Sequence, residues 1–365
     1  MAKIDRIKLS GFKSFEQLDL TIASINILVG GNGAGKTNFI KLFHLLSEMV
    51  AGRFQVAVED LGGAGQLPYG GSKRTEAISV DLKFGMNGYQ CTWKPSADDR
   101  MVITHEKSLL YDKNYPKPYD VHIGSGLKES GLPDSAKKEK VSRYVLDSMR
   151  QWRVYHFHDT SDSAKVKAHG DVHDDQILAS DARNIAAFLY RLANSDDATD
   201  QAAYQKIRKT VRLVAPFFDD FVLKPTTKDQ ILLRWSDRAS DQVFGPNAIS
   251  DGTLRFICLA TLLLQPQPPA TVLIDEPELG LHPYAINVLS GLIRSASHRS
   301  QVIVTTQSVP LVNQFEFKDL IIVDRDLGPS VARRLTDDEI QGWLKEYEGF
   351  SLGDLWEKNF IGGRP

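Results

Sequence analysis

The chain has 365 residues, of which 42% are hydrophobic and 25% are charged, and its formal net charge is −2. These values are those of a globular protein and argue against fibrous and intrinsically disordered classes. The small net charge gives no overall attraction to nucleic acid. Cys91 and Cys258 are the only cysteines and lie far apart in the sequence, which argues against a disulfide scaffold and a cysteine zinc site. No stretch approaches the roughly 20 apolar residues of a membrane span and no signal-peptide pattern is visible, so we expect a cytoplasmic protein with no membrane partner.

The amino-terminal part of the chain predicts three strands and a helix. Residues 3 to 22 alternate apolar and polar side chains in two stretches around residues 11 to 14, as a β-hairpin does. A short apolar run from Ile25 to Val29 ends in glycines and predicts a buried strand. Apolar residues from Phe39 to Val50 then recur at helical spacing, so the predicted order is strand, glycine-rich turn and helix.

The next segment predicts further strands and then a loop. Residues 77 to 94 hold two strand-like runs, and Asn87-Gly88 between them is a favoured tight-hairpin turn. Residues 113 to 140 are polar and contain prolines and glycines, which predicts a long surface loop or an insertion. The densest basic run, Lys137 to Arg143, is interrupted by Glu139 and indicates a solvated helix face in preference to a DNA contact.

The carboxy-terminal half predicts helices followed by a parallel sheet. Ser180 or Asp181 is the expected N-cap of a helix that carries the apolar face from Ile185 to Leu192. A second helix is expected at about residues 201 to 214. From residue 253 to 323 predicted helices and strands alternate, which is typical of a parallel sheet with crossover helices.

One glycine-rich segment matches the phosphate-loop pattern G-x-x-x-x-G-K-[ST]. Its residues, with the one that follows, are Gly30, Gly31, Asn32, Gly33, Ala34, Gly35, Lys36, Thr37 and Asn38. The glycines let successive backbone N–H groups surround phosphates, and the amino terminus of the following helix adds a partial positive charge. We therefore expect Lys36 to neutralise the β and γ phosphates of ATP and the Thr37 hydroxyl to ligate Mg²⁺.

A second element is an apolar strand, residues 271 to 274, that ends in the two adjacent carboxylates of Asp275 and Glu276. Both carboxylates can reach the phosphate edge of a sheet at the frayed end of a strand. We expect Asp275 to hold Mg²⁺, as the acidic strand end does in phosphate-loop enzymes. We expect Glu276 to orient and partly deprotonate the attacking water.

A third element, Ile249 to Thr253, precedes a predicted helix from Leu254 to Leu264. Ser250 is a good N-cap, and Gly252 permits close approach of backbone N–H groups to an anion. The segment is consistent with a plain helix cap or with a second phosphate-binding helix terminus. Its position shortly before the acidic strand favours the second interpretation.

With these motifs the chain resembles the ABC-type ATPases of the RecF, SMC and OLD group, in the compact, AAA_21-like bacterial branch without a long coiled coil. The strings that carry the resemblance are residues 11 to 15 (GFKSF), 249 to 253 (ISDGT), 275 to 283 (DEPELGLHP) and 305 to 308 (TTQS). The resemblance covers essentially the whole chain. It implies an α/β P-loop NTPase fold: an ABC-type ATPase head with an antiparallel β subdomain and a helical lobe inserted between the phosphate loop and the signature. One composite domain is expected, divided into residues 1–160, 161–245 and 246–365.

The resemblance also implies how the site works. Two copies would dimerise head to head around ATP and Mg²⁺, with Ser250 and Gly252 of one copy completing the γ-phosphate site of the other. Lys13 and Ser14 match an early loop beside the nucleotide. Gln307 stands where such enzymes often have histidine as the γ-phosphate sensor, and as a neutral group it would hydrogen-bond a phosphate oxygen or the attacking water.

The resemblance further implies partners and a setting. A separately encoded effector protein such as a nuclease is expected, and DNA is a candidate ligand, in genome maintenance or phage defence. Two other functions share the phosphate loop: a small-molecule kinase, which explains neither the signature-like cap nor the DEPELGLHP string, and an ATP-binding scaffold with weak hydrolysis, which the intact Glu276 argues against.

Four histidines lie close together in the sequence, at positions 156, 158, 169 and 173, with several aspartates nearby. Their spacing matches no established zinc motif, so a separate metal site is the minor interpretation. The strand end near His158 and Asp159 is the weak candidate for the position of the glutamine that joins the two lobes in many members of the resembled group.

Overall fold

The computed structural model describes residues 3–112, 114, 116–347 and 349–363. Lys113 and Tyr115 of the predicted loop, and the two residues at each end of the predicted domain, lie outside this range. The chain divides into two compact units. The first comprises the described residues of Met1–Val154, Pro269–Leu273 and Phe315–Pro365, and the second comprises Tyr155–Pro268 and Ile274–Gln314.

Strands occur in both units. They are β1 (Arg6–Phe12), β2 (Phe15–Thr21), β3 (Ile25–Val29), β4 (Ile78–Phe84), β5 (Asn87–Pro95), β6 (Met101–Leu110), β7 (Tyr119–Gly124), β8 (Trp152–Tyr155), β9 (Gly170–Asp171), β10 (Phe218–Phe221), β11 (Gln230–Ile231), β12 (Trp235–Asp237), β13 (Val243–Phe244), β14 (Thr271–Asp275), β15 (Gln301–Thr306), β16 (Leu320–Asp324) and β17 (Val331–Arg334).

Helices alternate with these strands along the chain. They are α1 (Lys36–Val50), α2 (Phe54–Asp60), α3 (Leu132–Lys138), α4 (Lys140–Met149), α5 (Ile185–Asn194), α6 (Ala198–Val214), α7 (Asp251–Leu264), α8 (Pro283–Ser297), α9 (Val309–Val312), α10 (Asp337–Glu346) and α11 (Leu352–Glu357). None of the helices among the described residues combines the length and the apolar character that crossing a bilayer requires.

The first unit contains an antiparallel sheet in the order β2-β1-β4-β5-β6-β7. β1 and β2 form the predicted hairpin, with Phe12 opposite Phe15. In β4 the buried and less buried side chains alternate, so one face of the strand is buried. The antiparallel β part that the resemblance implied is therefore present, and it belongs to the same unit as the glycine-rich turn.

A second set of strands in the first unit supports that turn. β3 pairs in parallel with β16, and β16 pairs antiparallel with β17. The helix that follows, α1, begins at Lys36 and includes the predicted apolar positions from Phe39 to Val50. Its Phe43 ring lies 5.3 Å from that of Trp152, the first residue of β8. Both residues are almost fully buried. The burial of one apolar face fixes the direction in which α1 leaves the turn.

The second unit is built on helices α5 to α8. α7 carries apolar residues all round and is buried along nearly its whole length, as expected of a helix with neighbours on every side. α6 and α8 both pack against it. Ser250 is its N-cap and accepts a hydrogen bond from the Thr253 N–H at 3.3 Å, so the predicted cap is confirmed, while the helix begins at Asp251 and not at the predicted Leu254.

Three local predictions are wrong. The tight turn is Gly85-Met86, where Gly85 has a φ of +57°, and Asn87 already pairs with Phe84 across the hairpin. Residues 113 to 140 contain β7 and α3 instead of one loop, because Val121, Leu132 and Ala136 supply buried apolar contacts within polar surroundings. Pro133 lies in the first turn of α3, where the backbone N–H that proline lacks would have no partner within the helix.

The third wrong prediction is the cap of α5. Its N-cap is Asn184 instead of Ser180 or Asp181. The Asn184 side chain accepts from the Ala179 N–H at 2.9 Å and donates to two backbone carbonyls, so it stabilises the preceding loop. The division of the chain at residues 160 and 245 stays a prediction.

Candidate functional site

The glycine-rich turn joins the end of β3 to α1 in a conformation that requires glycine. Gly33 has a φ of +78° and Gly35 a φ of +122°. A Cβ on Gly35 would lie 2.5 Å from Ser330 Oγ, and a Cβ on Gly30 would collide with the Val323 carbonyl oxygen. Larger residues would therefore displace the loop from β16 and from the segment before β17.

Lys36 is the first residue of α1 and its side chain folds back over the loop. The Lys36 ammonium donates to the carbonyl oxygens of Gly30 and Gly31, the latter at 2.9 Å, and the residue is 6% exposed. Backbone N–H groups at the start of α1 add the positive end of the helix dipole to the same region. The loop thus combines a fixed cation with a helix amino terminus, which is the electrostatic requirement for binding a polyphosphate.

Ser14 and Lys13 lie in the turn between β1 and β2. Ser14 Oγ accepts a hydrogen bond from Asn38 Nδ2 at 2.9 Å, and Ser330 N–H donates to the Ser14 carbonyl at 2.7 Å. Ser14 therefore lies beside the start of α1. Lys13 adopts a φ of +52° and its ammonium donates to the Leu61 carbonyl at 2.9 Å. Burial, with a smaller effect of Lys41, lowers the pKa of Lys13.

The acidic strand end lies in the second unit, where β14 ends at Asp275. Thr305 of β15 donates from its hydroxyl to Asp275 Oδ1, and the Thr305 carbonyl accepts from the Glu276 N–H at 3.0 Å. Glu276 has a φ of +39°, a left-handed conformation that costs a non-glycine residue on the order of 1–3 kcal/mol. The two contacts with Thr305 hold this strained turn: one fixes the Asp275 carboxylate and the other fixes the backbone of Glu276.

Gln307 follows β15 and reaches the same strand end. Its Nε2 donates to Glu276 Oε1, so an amide from one strand end orients the carboxylate at the other. Thr306 donates from its hydroxyl to Glu278 Oε1. Glu278 is 8% exposed, and burial raises the pKa of its carboxyl to about 7. The predicted residues Asp275, Glu276 and Gln307 therefore lie together.

The signature-like segment is held against the loop that follows the acidic strand. A Cβ on Gly252 would collide with the Gly280 carbonyl oxygen, so this glycine is needed for close packing within the second unit. Arg255 of α7 donates to the Phe157 carbonyl at 2.8 Å, to the His158 carbonyl at 3.0 Å and to the Leu279 carbonyl. The helix that begins at Ser250 is thus linked to both neighbouring loops.

Two histidines reach Asp275 from the segment after β8. His158 Nε2 lies 2.9 Å from the Asp275 carbonyl oxygen, and His156 Nδ1 lies 3.9 Å from Asp275 Oδ2. His169 and His173 lie elsewhere, His169 beside Thr226 and His173 beside Asp229. The grouping of His156 and His158 with Asp275 depends on β8 lying next to β14, and the local sequence pattern carries no signal for that pairing.

The predicted residues thus fall into two groups. The first unit holds Lys13, Ser14 and the loop from Gly30 to Asn38, and the second holds Ser250, Gly252, Asp275, Glu276 and Gln307. Sequence reasoning missed Thr305 as a partner of Asp275 and Glu276, Arg255 as the link between loops, and Ser330 beside Gly35. Each of these pairs lies 24 or more positions apart in the sequence, which periodicity within a segment does not reveal.

The oxygen donors suit the cation that a nucleotide site uses. Mg²⁺ prefers carboxylate, hydroxyl and water oxygens. Thr37 offers an exposed hydroxyl and Asp275 a carboxylate whose side chain is 16% exposed. Each of these residues therefore offers an oxygen atom of the kind that Mg²⁺ prefers.

Comparison with known proteins gives a family and a fold. Residues 126–313 match the family AAA_21, described as "AAA domain, putative AbiEii toxin, Type IV TA system". No curated protein matches the chain.

Solved structures similar to this chain include three SMC heads. The SMC head bound to the C-terminal winged-helix domain of ScpA has a TM-score of 0.56 at 15% identity and covers 93% of this chain and 99% of its own. The Pyrococcus furiosus SMC head with an extended coiled coil, bound to the C-terminal domain of ScpA, has a TM-score of 0.59 at 14% identity, with 95% and 99% covered. The Pyrococcus yayanosii SMC head with a coiled coil and joint has a TM-score of 0.52 at 11% identity, with 95% and 99% covered. The predicted fold class is thereby confirmed, and the chain belongs to the AAA_21 family with the fold of an ABC-type ATPase of the RecF/SMC group.

Proposed function

We propose that this chain hydrolyses ATP, with the loop Gly30–Thr37 binding the triphosphate and Glu276 acting as the base toward the attacking water. The hydrogen bond from Gln307 to Glu276 carries the proposal, because it holds a carboxylate in one orientation directly after Asp275. A general base contributes only when its orientation toward the water is fixed. A purely structural strand end would need neither the strained backbone of Glu276 nor this contact.

Each proposed residue has a chemical role. Lys36 neutralises phosphate charge, and the N–H groups of the loop bind phosphate oxygens. Thr37 and Asp275 are the proposed ligands of Mg²⁺, which when bound would neutralise charge on the phosphate oxygens. Ser14 and Asn38, which are hydrogen bonded to each other, would stabilise the start of α1 beside the nucleotide.

The proposal also includes ATP-dependent dimerisation of two copies. Ser250 caps the amino terminus of α7, a 14-residue helix, and its hydroxyl lies at the positive end of the helix dipole. In the proposed dimer Ser250 and Gly252 of one copy would contact the γ-phosphate held by the other. ATP would then favour the closed dimer because it would bind that state more tightly than it binds the separated copies.

We further propose that closure and opening act on a separate protein. Two of the similar SMC heads are bound to domains of ScpA, so heads of this fold accept a second polypeptide. An effector such as a nuclease, with a role in genome maintenance or phage defence, is the partner that we propose for this chain. DNA is the alternative ligand.

The hydrolysis proposal is tested with Glu276→Gln. The variant side chain has nearly the same length and can still form hydrogen bonds, but it is no longer a base. We therefore expect ATP binding to persist while turnover falls by about 10²–10⁴-fold. Lys36→Ala is the matched variant and should lose ATP binding itself. Turnover within twofold of wild type in Glu276→Gln, measured as phosphate release, would contradict the role of Glu276.

The same variant tests the partner. A closed Glu276→Gln dimer should retain whatever binds that state, so protein purified with ATP and Mg²⁺ should carry it. A co-purifying polypeptide that is absent from the Lys36→Ala preparation would support an effector, and co-purifying DNA would support the alternative. Identical material from both variants would argue against a partner of the ATP-bound state.

A further inference from the structure

The group formed by His156, His158 and Asp275 offers two imidazoles and one carboxylate within a small volume. One ligand atom from each residue can be chosen so that all three lie within 4.8 Å of one another. His156 and His158 are exposed and Asp275 is half-buried. All three residues belong to the second unit.

The backbone that carries the two histidines is fixed by its surroundings. Arg255 donates to the carbonyls of Phe157 and His158, and the His156 N–H donates to the Ser180 carbonyl at 2.9 Å. Phe157 is buried between the two histidines, and its ring lies 5.7 Å from that of Tyr155. Alternation along the segment therefore places both imidazoles opposite the buried Phe157 ring.

The carboxylate is fixed as well. Thr305 donates to Asp275 Oδ1, which leaves Oδ2 as the oxygen 3.9 Å from His156 Nδ1. Hydrogen bonds of this kind orient metal ligands in proteins. Two bonds of about 2.1 Å to one ion span at most about 4.2 Å, so the separation of Oδ2 and Nδ1 already fits a shared ion.

The donor atoms decide which ion fits. Mg²⁺ takes oxygen ligands and gains little from imidazole, whereas Mn²⁺, Fe²⁺, Co²⁺ and Zn²⁺ accept nitrogen and oxygen together. Two histidines with one carboxylate, and open positions left for other ligands, form a set that binds such metals. The set differs from the all-oxygen pair Thr37 and Asp275.

We propose that His156, His158 and Asp275 form a site for one divalent transition-metal ion, and that it binds the ion without nucleotide. Because Asp275 also belongs to the proposed Mg²⁺ site, the bound ion would compete with Mg²⁺ for this carboxylate. At equal concentrations of the two ions, the chain would thus hold the transition metal at Asp275 in preference to Mg²⁺.

The test is a titration of the metal-free full chain with Zn²⁺ by calorimetry and with Co²⁺ by visible absorption, in the absence of nucleotide. We expect one ion per chain, with a Kd at least about tenfold below that for Mg²⁺. His156→Ala and His158→Ala should each raise the Zn²⁺ Kd by about tenfold or more. His173→Ala is the matched control, because its imidazole is exposed and lies beside a single aspartate, and it should leave the Kd unchanged.

A second variant keeps the test decisive if an alanine variant folds poorly. His158→Gln replaces the nitrogen donor with an amide oxygen, so it should weaken the binding of Zn²⁺ more than that of Mg²⁺. The ratio of the two Kd values should therefore become smaller. Equal Zn²⁺ affinity in wild type, His156→Ala and His158→Ala, or no preference for Zn²⁺ over Mg²⁺, would overturn the proposal. Lys36→Ala should bind Zn²⁺ like wild type, which separates this outcome from any failure of the hydrolysis proposal.

Discussion

Gln307 donates from Nε2 to Oε1 of Glu276, and no charge is introduced by this contact. A protonated histidine in the same place would form an ion pair with the Glu276 carboxylate. Glutamine is neutral and only fixes the orientation of that carboxylate. Gln307 is therefore a positioning residue in the proposed reaction, and the base remains Glu276.

We expect Gln307→Ala to lower kcat for ATP hydrolysis by about 10–100-fold with a small change in KM, because the orientation of the base matters in the chemical step and not in ground-state binding. Gln307→Glu has almost the same shape but sets a carboxylate against Glu276, so it should be at least as impaired. Gln307→His should recover part of the rate. Steady-state kinetics on the three variants decide the matter, and a kcat within twofold of wild type for Gln307→Ala would remove the positioning role.

Glu278 is the buried carboxyl of the same loop. Burial raises the pKa of this carboxyl to about 7, against an ordinary value of 4.5, and Glu278 Oε2 has no hydrogen-bond partner among the described residues. Between pH 4.5 and about pH 7, the folded protein therefore binds up to one proton more than the unfolded chain. The stability that this group contributes is complete below pH 4.5 and is lost as the pH rises to about 7.

We expect Glu278→Gln to remove this pH dependence, since the amide fills the same space and does not ionise. At pH 8 the free energy of unfolding of the variant should exceed that of wild type by up to about 3 kcal/mol, and at pH 5 the two should converge. Denaturant unfolding across pH 5 to 8 measures both. Glu357→Gln, at an exposed position, is the control, and parallel curves for Glu278→Gln and wild type would show that Glu278 titrates normally.

At the scale of elements, α7 connects the signature-like turn to two loops through one side chain. Arg255 is 9% exposed and its three donor contacts go to backbone carbonyls of residues 157, 158 and 279. The guanidinium is poorly solvated, and this burial lowers the pKa of Arg255. Such a residue stabilises the surrounding loops because its loss leaves three backbone acceptors without this donor, and the contact with the Phe157 carbonyl is buried.

We expect Arg255→Ala to cost about 3 kcal/mol of unfolding free energy and to speed hydrogen exchange at residues 156–158 and 276–282. Arg255→Lys should lose less unfolding free energy than Arg255→Ala but should remain less stable than wild type, since an ammonium cannot reproduce the planar arrangement of N–H donors in a guanidinium. Arg183→Ala, at an exposed ion pair, is the control for a lost arginine. Unchanged exchange in both loops of Arg255→Ala would show that α7 does not support them.

The elements that sequence alone predicted are those with strong local signals. β3 occupies Ile25–Val29 and α7 starts after Ser250, because an apolar run and an N-cap are read from adjacent residues. The turn at Gly85-Met86 was missed because Asn87-Gly88, two residues on, carries the stronger hairpin signal, and sheet register decided between them. The approach of His156 and His158 to Asp275 was not predictable, because it depends on strands more than 100 residues apart.

At the scale of the whole molecule, the family match and the phosphate loop come from different parts of the chain. Residues 126–313 carry the AAA_21 match, which includes Ser250, Asp275, Glu276 and Gln307, while the loop Gly30–Thr37 lies outside it. The similar SMC heads cover at least 93% of the chain, so the shared fold extends beyond the residues of the family match. The family match therefore does not include the phosphate loop, whose assignment rests on its own motif and on the contacts of Lys36.

The proposed dimer predicts that two inactive variants restore activity when they are mixed. Lys36→Ala disables the phosphate loop of its own copy, and Ser250→Asp keeps an N-cap for α7 while it sets a negative charge against the partner's γ-phosphate. Each variant alone should be inactive. In a mixed dimer, however, the intact loop of the Ser250→Asp copy meets the intact signature of the Lys36→Ala copy, and one of the two sites is whole.

An equal mixture of the two variants should therefore regain about a quarter of the wild-type rate of phosphate release, since half of randomly paired dimers are mixed and each has one working site. Ser250→Asn, which caps the helix without the charge, is the control for Ser250→Asp and should keep much of its activity. The double variant with both changes in one chain should not be rescued by either single variant, because no pairing then joins an intact loop to an intact signature. If the mixture of single variants stays inactive while both variants are folded and Ser250→Asn is active, Ser250 acts within its own copy, because only a site assembled from two chains allows two different defects to compensate.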